Sequence, residues 1–344
     1  MMRAGVFHQP NRPISVEDVP VPSLGPRDVL VRIGSCGICG GDIQRMAGLI
    51  KVKTPQILGH EPAGVVAEVG SEVDSFRAGN RVVLTAVGCG ECYYCKIGLD
   101  NICDHIASGF GVGCDGAFAE YCRVPARQLF PLPEGMPLEA GSVLTASTGT
   151  VFHAIRKSGV VSGDTAVIFG AGCLGTQALQ LLRLQGVRVF VIDIAEEKLE
   201  LARKLGAAEA FDGKSRDVTA EIRNRTGGRG ADVAFEMAGQ PRTLGQALDC
   251  VRGGGTVVDV GSIMEPVSLK MMPFIDGGLS LSREITLMTI SHYCRRDMTK
   301  LLDLLSHADL DFVSGTYKVA LSEINHGFEV KRQGRHARVL VVPD

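Results

Sequence analysis

The segment Gly170-Ala-Gly172-Cys173-Leu174-Gly175 does most to limit what this chain can fold into. Glycine makes up 43 of 344 residues, so a GxGxxG match alone carries little weight. Its setting gives it meaning. It follows the apolar run Thr165-Ala-Val-Ile-Phe169 and opens a helical pattern over 174–185. In such a strand–loop–helix the first glycine allows a tight turn and the second lets the backbone approach a pyrophosphate. The third permits close packing of helix on strand. The free N–H groups and dipole of the helix N-terminus then face the phosphates. A second apolar strand, Arg188-Val-Phe-Val-Ile192, and a helical segment at 195–205 continue the alternation. This predicts a parallel sheet with helices on both faces between about 150 and 290. The apolar strands suit burial on both sides. The second strand ends at Asp193, 23 positions after Gly170. A carboxylate there accepts from both ribose hydroxyls and repels a 2′-phosphate, which favours NAD over NADP. Lys198 is in reach of the adenosine ribose. Asp193 also reads as a cap of the helix beginning Ala195-Glu-Glu-Lys198, and the two roles can hold together.

Residues 1 to about 150 read differently. Short β-like runs such as Asp28–Ile33, Ala63–Val69 and Asn80–Leu84 are separated by Gly and Pro, which points to a small all-β barrel or sandwich. The last stretch, about 290–344, carries a predicted helix at 297–306 and a strand at 337–342. It is too small for its own core and is expected to rejoin one of two domains, the number that ~150 residues per domain suggests. A net charge of −2 argues against a nucleic-acid or anionic-membrane partner. No run of about 18 apolar residues marks a membrane span. The N-terminal MMRAGVFHQPNRP has no apolar signal region, so a cytoplasmic protein is the expectation. Eleven cysteines in such a chain read as metal ligands and free thiols.

Four of those cysteines, Cys89, Cys92, Cys95 and Cys103, fall at spacings that suit one closed, structural four-thiolate zinc site. Ferredoxin-type runs use a shorter last gap followed by Pro, so zinc is preferred over an iron–sulfur cluster. A second constellation joins Cys36-Gly-Ile-Cys39-Gly-Gly-Asp42 to Gly59-His60-Glu61. Cys, His and Glu offer sulfur, nitrogen and oxygen donors acceptable to zinc, and few protein ligands keep a position open for substrate. Asp42 is placed to hold the His60 ring. Singly, His60 reads equally as a core histidine and Glu61 as a surface carboxylate. Cys36 reads as a packed thiol.

These motifs, in this order, resemble the zinc-dependent medium-chain alcohol/polyol dehydrogenases. The likeness spans essentially the whole chain and includes Asp115-Gly-Ala-Phe-Ala-Glu-Tyr121 and Arg338 in the last strand. It implies a GroES-like β-barrel catalytic domain over 1–150, completed by about 291–344, and a doubly wound NAD-binding Rossmann domain over 151–290. It implies an active site in the cleft between them. It further implies that Cys39, with His60 and Glu61, holds a catalytic zinc, giving two zinc ions per chain with the structural one. Arg338 would contact the pyrophosphate, and the strand end Val260–Ser262 would lie by the nicotinamide. A small-molecule substrate and a homo-oligomer, dimer or tetramer, are expected.

The departures bear on mechanism. In the family pattern a Ser or Thr two residues after the catalytic Cys passes the substrate proton on, and a His five residues after it follows. Here these positions are Gly41 and Gln44, which cannot titrate. The proton is then expected to leave by water, by the ribose hydroxyl, or by Thr148, Thr150 or His153, the last reading equally as a helix-surface residue. The family's fourth zinc ligand falls at Ala146, or with a slip of one at Thr145 or Ser147. Glu139 is seven positions too early. The predicted reaction is NAD-dependent hydride transfer on a secondary alcohol of the polyol, sugar, cyclitol or amino-alcohol class. The alternatives are a reductase of an activated C=C or C=N bond on the same fold, and a non-catalytic cofactor-binding protein.

Overall fold

The computed structural model describes residues 1–85, 88–105, 109–214, 217–269, 271–272, 279–308 and 310–344. Backbone contacts divide the chain into two compact units, Met1–Gly149 with Tyr293–Asp344, and Thr150–His292.

The first unit is built on the strand Asp28–Gly37, whose run of Val29, Leu30 and Val31 is buried while Arg32 points outward. It pairs antiparallel with Pro62–Val69, Tyr121–Pro125 and the C-terminal strand Arg338–Val342. Two register shifts against Pro62–Val69, at Leu30/Val31 and Ile33/Ser35, bend the pairing. Arg81–Leu84 and Leu129–Pro131 extend the sheet on one side, and Thr316–Ala320 pairs parallel to Arg338–Val342 on the other. A smaller sheet places Met2–Phe7 between Ser15–Val19 and Gln56–Ile57. The C-terminal segment thus supplies both sheet and core. Phe328 packs edge-on against Phe118, with ring centroids 6.0 Å apart, and Val339 and Val341 are buried in the same cluster. A further helix, Ile324–Gln333, precedes the last strand, and the helix predicted at 297–306 is Arg295–Leu305, starting two residues earlier. Cys294 caps it, with Asp297 Oδ2 accepting from the Cys294 N–H at 3.0 Å.

The second unit is a six-stranded parallel sheet. Its strands are Thr165–Phe169, Arg188–Asp193, Glu209–Asp212, Ala231–Glu236, Val251–Asp259 and Thr286–Thr289. Counted along the chain, their order in the sheet is 3-2-1-4-5-6. This doubly wound order reverses between Thr165–Phe169 and Ala231–Glu236, and ligands bind such sheets at the carboxyl ends beside the reversal. All five residues of Thr165–Phe169 are buried, as a central strand covered on both faces requires. Helices Cys173–Leu184, Glu196–Lys204, Val218–Arg225 and Pro241–Cys250 connect the strands. Among the described residues no helix is long and apolar enough to cross a membrane.

Candidate active site

Three short pieces of the first unit converge. The long strand Asp28–Gly37 leads into Cys39, which caps the helix Gly40–Met46. Asp42, at the third helical position, has no exposed surface. Its Oδ2 accepts from the Cys39 N–H at 3.0 Å, and its Oδ1 faces His60 Nδ1 at 3.3 Å. His60 and Glu61 are delivered by Gly59, whose φ of +95° is open to glycine and whose missing Cβ would lie 2.8 Å from the Phe118 nitrogen. The Gly37 N–H donates to the Glu61 carbonyl at 2.9 Å. A Cβ on Gly37 would overlap Glu61 Oε2, so that glycine makes room for the carboxylate. The sulfur of Cys39, a ring nitrogen of His60 and a carboxylate oxygen of Glu61 all lie within 4.8 Å of one another.

The electrostatics of this triad suit a cation. Burial pushes the Cys39 thiol and the Glu61 carboxyl above their ordinary values. Burial opposes a charged His60, but the Asp42 carboxylate beside it reverses that and carries it well above the usual imidazole range. Burial disfavours the anionic forms of these donors, and a divalent ion would supply the charge that stabilises them. A neutral His60 that donates from Nδ1 to Asp42 presents its Nε2 lone pair.

The helical run after Pro137 contains one π-turn, Leu144–Thr148. Of the three positions considered for a fourth ligand, Ser147 reaches the triad, its hydroxyl donating to Glu61 Oε1 at 3.3 Å. Thr145 donates instead to the Ser142 carbonyl, and Thr148 to the Val143 carbonyl. Glu139 is drawn to Lys318, 2.7 Å away. Cys36 is buried in the core, on the strand paired with the C-terminal one. His153 is 3% exposed, which rules out the helix-surface reading.

Cys89, Cys92, Cys95 and Cys103 bring four sulfurs within 4.8 Å of one another. Two of the separations are 3.9 Å (Cys89–Cys95) and 3.7 Å (Cys92–Cys103). A tetrahedral ion with Zn–S bonds of about 2.3 Å requires about 3.8 Å between sulfurs, so the donor set fits. Backbone N–H groups of Glu91 and Cys92 donate to Cys89 and pull its thiol down to about 6, while burial pushes Cys95 up to about 12.

In the second unit each glycine of the loop has its own geometric reason. Gly170 has φ +101°, no atom lies within 4 Å of a Cβ built on Gly172, and a Cβ on Gly175 would overlap the Gly170 carbonyl. Cys173 and Leu174 form the first helical turn behind Gly172. Asp193 is not the cap of the following helix, which Ala195 provides. Its Oδ2 accepts from the Ala171 N–H at 2.7 Å, and its Oδ1 from Ile194 and Ala195 at 2.7 and 3.0 Å. Lys198 Nζ stands 3.9 Å from Oδ2. The Val260 N–H donates to the Glu236 carbonyl at 2.9 Å. Glu236 was not anticipated from sequence: its carboxylate gathers the N–H groups of Ala238 and Gly239 and the Thr243 hydroxyl at the end of the fourth strand. Thr150, in the helix Gly149–Ser158, and Arg338, at the start of its strand, are both buried.

Comparison with known proteins agrees with this arrangement. Residues 25–134 match the alcohol dehydrogenase GroES-like domain, and residues 173–307 match the zinc-binding dehydrogenase domain. An alcohol dehydrogenase of Geobacillus stearothermophilus is 34% identical over 339 residues, covering 97% of this chain and 96% of the relative. The sorbitol dehydrogenase of Bacillus subtilis is 35% identical over 280 residues, 80% of this chain and 79% of the relative. The solved alcohol dehydrogenase of Thermus sp. ATN1 superposes with a TM-score of 0.85 at 29% identity, covering all of both chains.

Proposed function

Since the chain belongs to the zinc-dependent medium-chain alcohol/polyol dehydrogenases, we propose that it uses Cys39, His60 and Glu61 to hold a catalytic zinc while it oxidises a secondary alcohol of the polyol, sugar, cyclitol or amino-alcohol class with NAD. The observation that carries this is the convergence of those three donors on one point, with Asp42 behind His60. Zinc held there would polarise the substrate oxygen as a Lewis acid, with NAD as the hydride acceptor.

The remaining work falls to the protein. Cys39 and Glu61 contribute two negative charges that balance a divalent ion. Asp42 fixes the ring and tautomer of His60. Ser147 holds the Glu61 carboxylate by its hydroxyl. Gly41 and Gln44 cannot titrate, Thr148 is committed to a backbone carbonyl, and His153 Nδ1 is engaged by Arg156 at 3.3 Å. We therefore assign proton exit to Thr150, together with solvent. Cys89, Cys92, Cys95 and Cys103 hold a second zinc, which makes two per chain and contributes to folding. For the cofactor, Gly170, Gly172, Cys173, Leu174 and Gly175 cradle the pyrophosphate, and Arg338 contacts it. Asp193 and Lys198 bind the adenosine ribose, and Val260 borders the nicotinamide. The first unit is the catalytic domain and the second the cofactor domain of a cytoplasmic homo-oligomer.

A panel of polyols, sugars, cyclitols and amino alcohols assayed with NAD tests the reading. Cys39→Ala should abolish turnover on any active compound and lower zinc from two to one per chain, with NADH binding kept. Full activity in Cys39→Ala would refute the metal mechanism.

A further inference from the structure

Arg45 is a charged side chain beside the triad that the proposed mechanism leaves unused. It lies on the short helix that starts at Cys39, one turn after Gly41, so the two positions share a helix face. Only 9% of its side chain is exposed. Asp42 Oδ1 stands 3.8 Å from Arg45 Nη1, beyond hydrogen-bond range, and that oxygen already faces His60. Among the described residues, Nε and Nη1 of Arg45 have no hydrogen-bond partner. A guanidinium removed from water without acceptors is costly to maintain, and such a group is found where something else supplies them.

Its place is defined by Gly41. The point where a Cβ of residue 41 would stand lies 2.9 Å from Arg45 Nη1 and 3.8 Å from His60 Cε1. The guanidinium therefore lies over the bare face of Gly41, on the side of the imidazole of the metal triad. A hydroxyl-bearing side chain at 41 would press against it. Glycine at this position removes a proton-relay hydroxyl and admits a cation in its stead.

Resting on the zinc-triad reading above, we propose that Arg45 is a specificity residue which binds an oxyanion, carboxylate or phosphate, carried by the substrate close to its reacting carbinol. Within the polyol and sugar class proposed above, this narrows the substrate to one that bears an oxyanion, such as a sugar acid or a polyol phosphate. A guanidinium is always charged and offers planar, directional donors that match either oxyanion. Asp42 does not satisfy those donors: its Oδ2 accepts from the Cys39 N–H, and its Oδ1, 3.3 Å from His60 Nδ1 and 3.8 Å from Arg45 Nη1, makes no hydrogen bond to either.

The test uses the zinc-loaded enzyme saturated with NADH, titrated calorimetrically with glycerate, glycerol 3-phosphate and glycerol. These three share a carbinol carbon and differ in one substituent. At least one oxyanion should bind tenfold or more tightly than glycerol, and which one does so distinguishes carboxylate from phosphate. Arg45→Met should bring oxyanion affinity down to that of glycerol, with zinc content and NADH affinity unchanged. Arg45→Lys, which keeps the charge and loses the planar donors, should retain part of the preference. Equal wild-type affinity for all three, no binding of either oxyanion, or an equal loss for all three in Arg45→Met overturns the proposal. If Arg45→Met does not fold, the wild-type series and Arg45→Lys decide it. Metal analysis of each sample keeps the two readings apart. A single zinc in the wild type, or one unaffected by Cys39→Ala, would count against the triad and not against Arg45.

Discussion

Asp42→Asn is the sharpest single perturbation of the triad, because it changes almost no volume and one hydrogen-bond role. Asp42 presents an acceptor on each side: its Oδ2 accepts from the Cys39 N–H at 3.0 Å, and its Oδ1 faces His60 Nδ1 at 3.3 Å. An asparagine accepts on one side only. If its oxygen serves Cys39, its amide donates toward His60 Nδ1, and the ring must then carry its proton on Nε2, the atom needed for metal. If the amide is flipped, two N–H donors meet at Cys39. Either orientation leaves one mismatched buried contact, which costs about 1–3 kcal/mol. Outer-shell partners of metal-bound histidines are worth 10–100-fold in metal affinity, or about 1.4–2.7 kcal/mol. Asp42→Asn should therefore release one zinc per chain at a chelator concentration 10–100-fold below that needed for the wild type. The four-thiolate zinc should be retained by both. Zinc remaining after graded chelation, measured by atomic emission, is the assay. Unchanged retention of both ions in Asp42→Asn would show that Asp42 merely caps its helix.

Cys95→Ala should lose the other zinc and lower the thermal midpoint, since a closed thiolate site contributes folding energy. Wild-type thermal stability in that variant would count against the four-thiolate assignment. Asp193→Ala should weaken NAD binding and relax discrimination against NADP. Each charge-assisted hydrogen bond to the ribose is worth about 1.5–3 kcal/mol before water compensates. kcat/KM with both cofactors measures this, and a wild-type preference for NADP would refute the ribose role.

What could be read from the sequence was whatever a local rule dictates. The loop from Gly170 to Gly175 is such a case, since a turn, an open face and a close packing contact each demand glycine within six residues. The sulfur cluster is another, since four thiols within fifteen residues can share one ion. The parallel sheet with helices on both faces followed from the alternation of apolar strands and helices. The errors arise where counting along a helix fails. The π-turn at Leu144–Thr148 widens one turn, so positions 145–147 cannot be assigned by regular helical spacing. That is why Ser147, and not Ala146, meets Glu61. Asp193 met the spacing of both a ribose ligand and a helix cap, and Ala195 is the residue that caps the helix. Arg45 and Glu236 could not be found this way at all. Nothing in a short helix or at a strand end marks an Arg or Glu as buried, because burial depends on segments distant in the chain.

Two glycines, at equal distances before and after Cys39, bear directly on what surrounds that residue. Gly37 leaves the space that the Glu61 carboxylate fills, and Gly41 the space that Arg45 enters. The two substitutions differ in consequence. A side chain at 37 would meet a carboxylate fixed by its own strand and by Ser147, so the triad itself would be displaced. A side chain at 41 would meet only the end of a flexible arginine. Position 41 can therefore change without dismantling the metal ligands. On that argument the choice there is between a hydroxyl that moves a proton and a bare face that admits a cation, and this chain has taken the second. The proton path and the substrate's charge are then linked. The same glycine that removes the relay from position 41 admits the guanidinium proposed to recognise an acidic substrate.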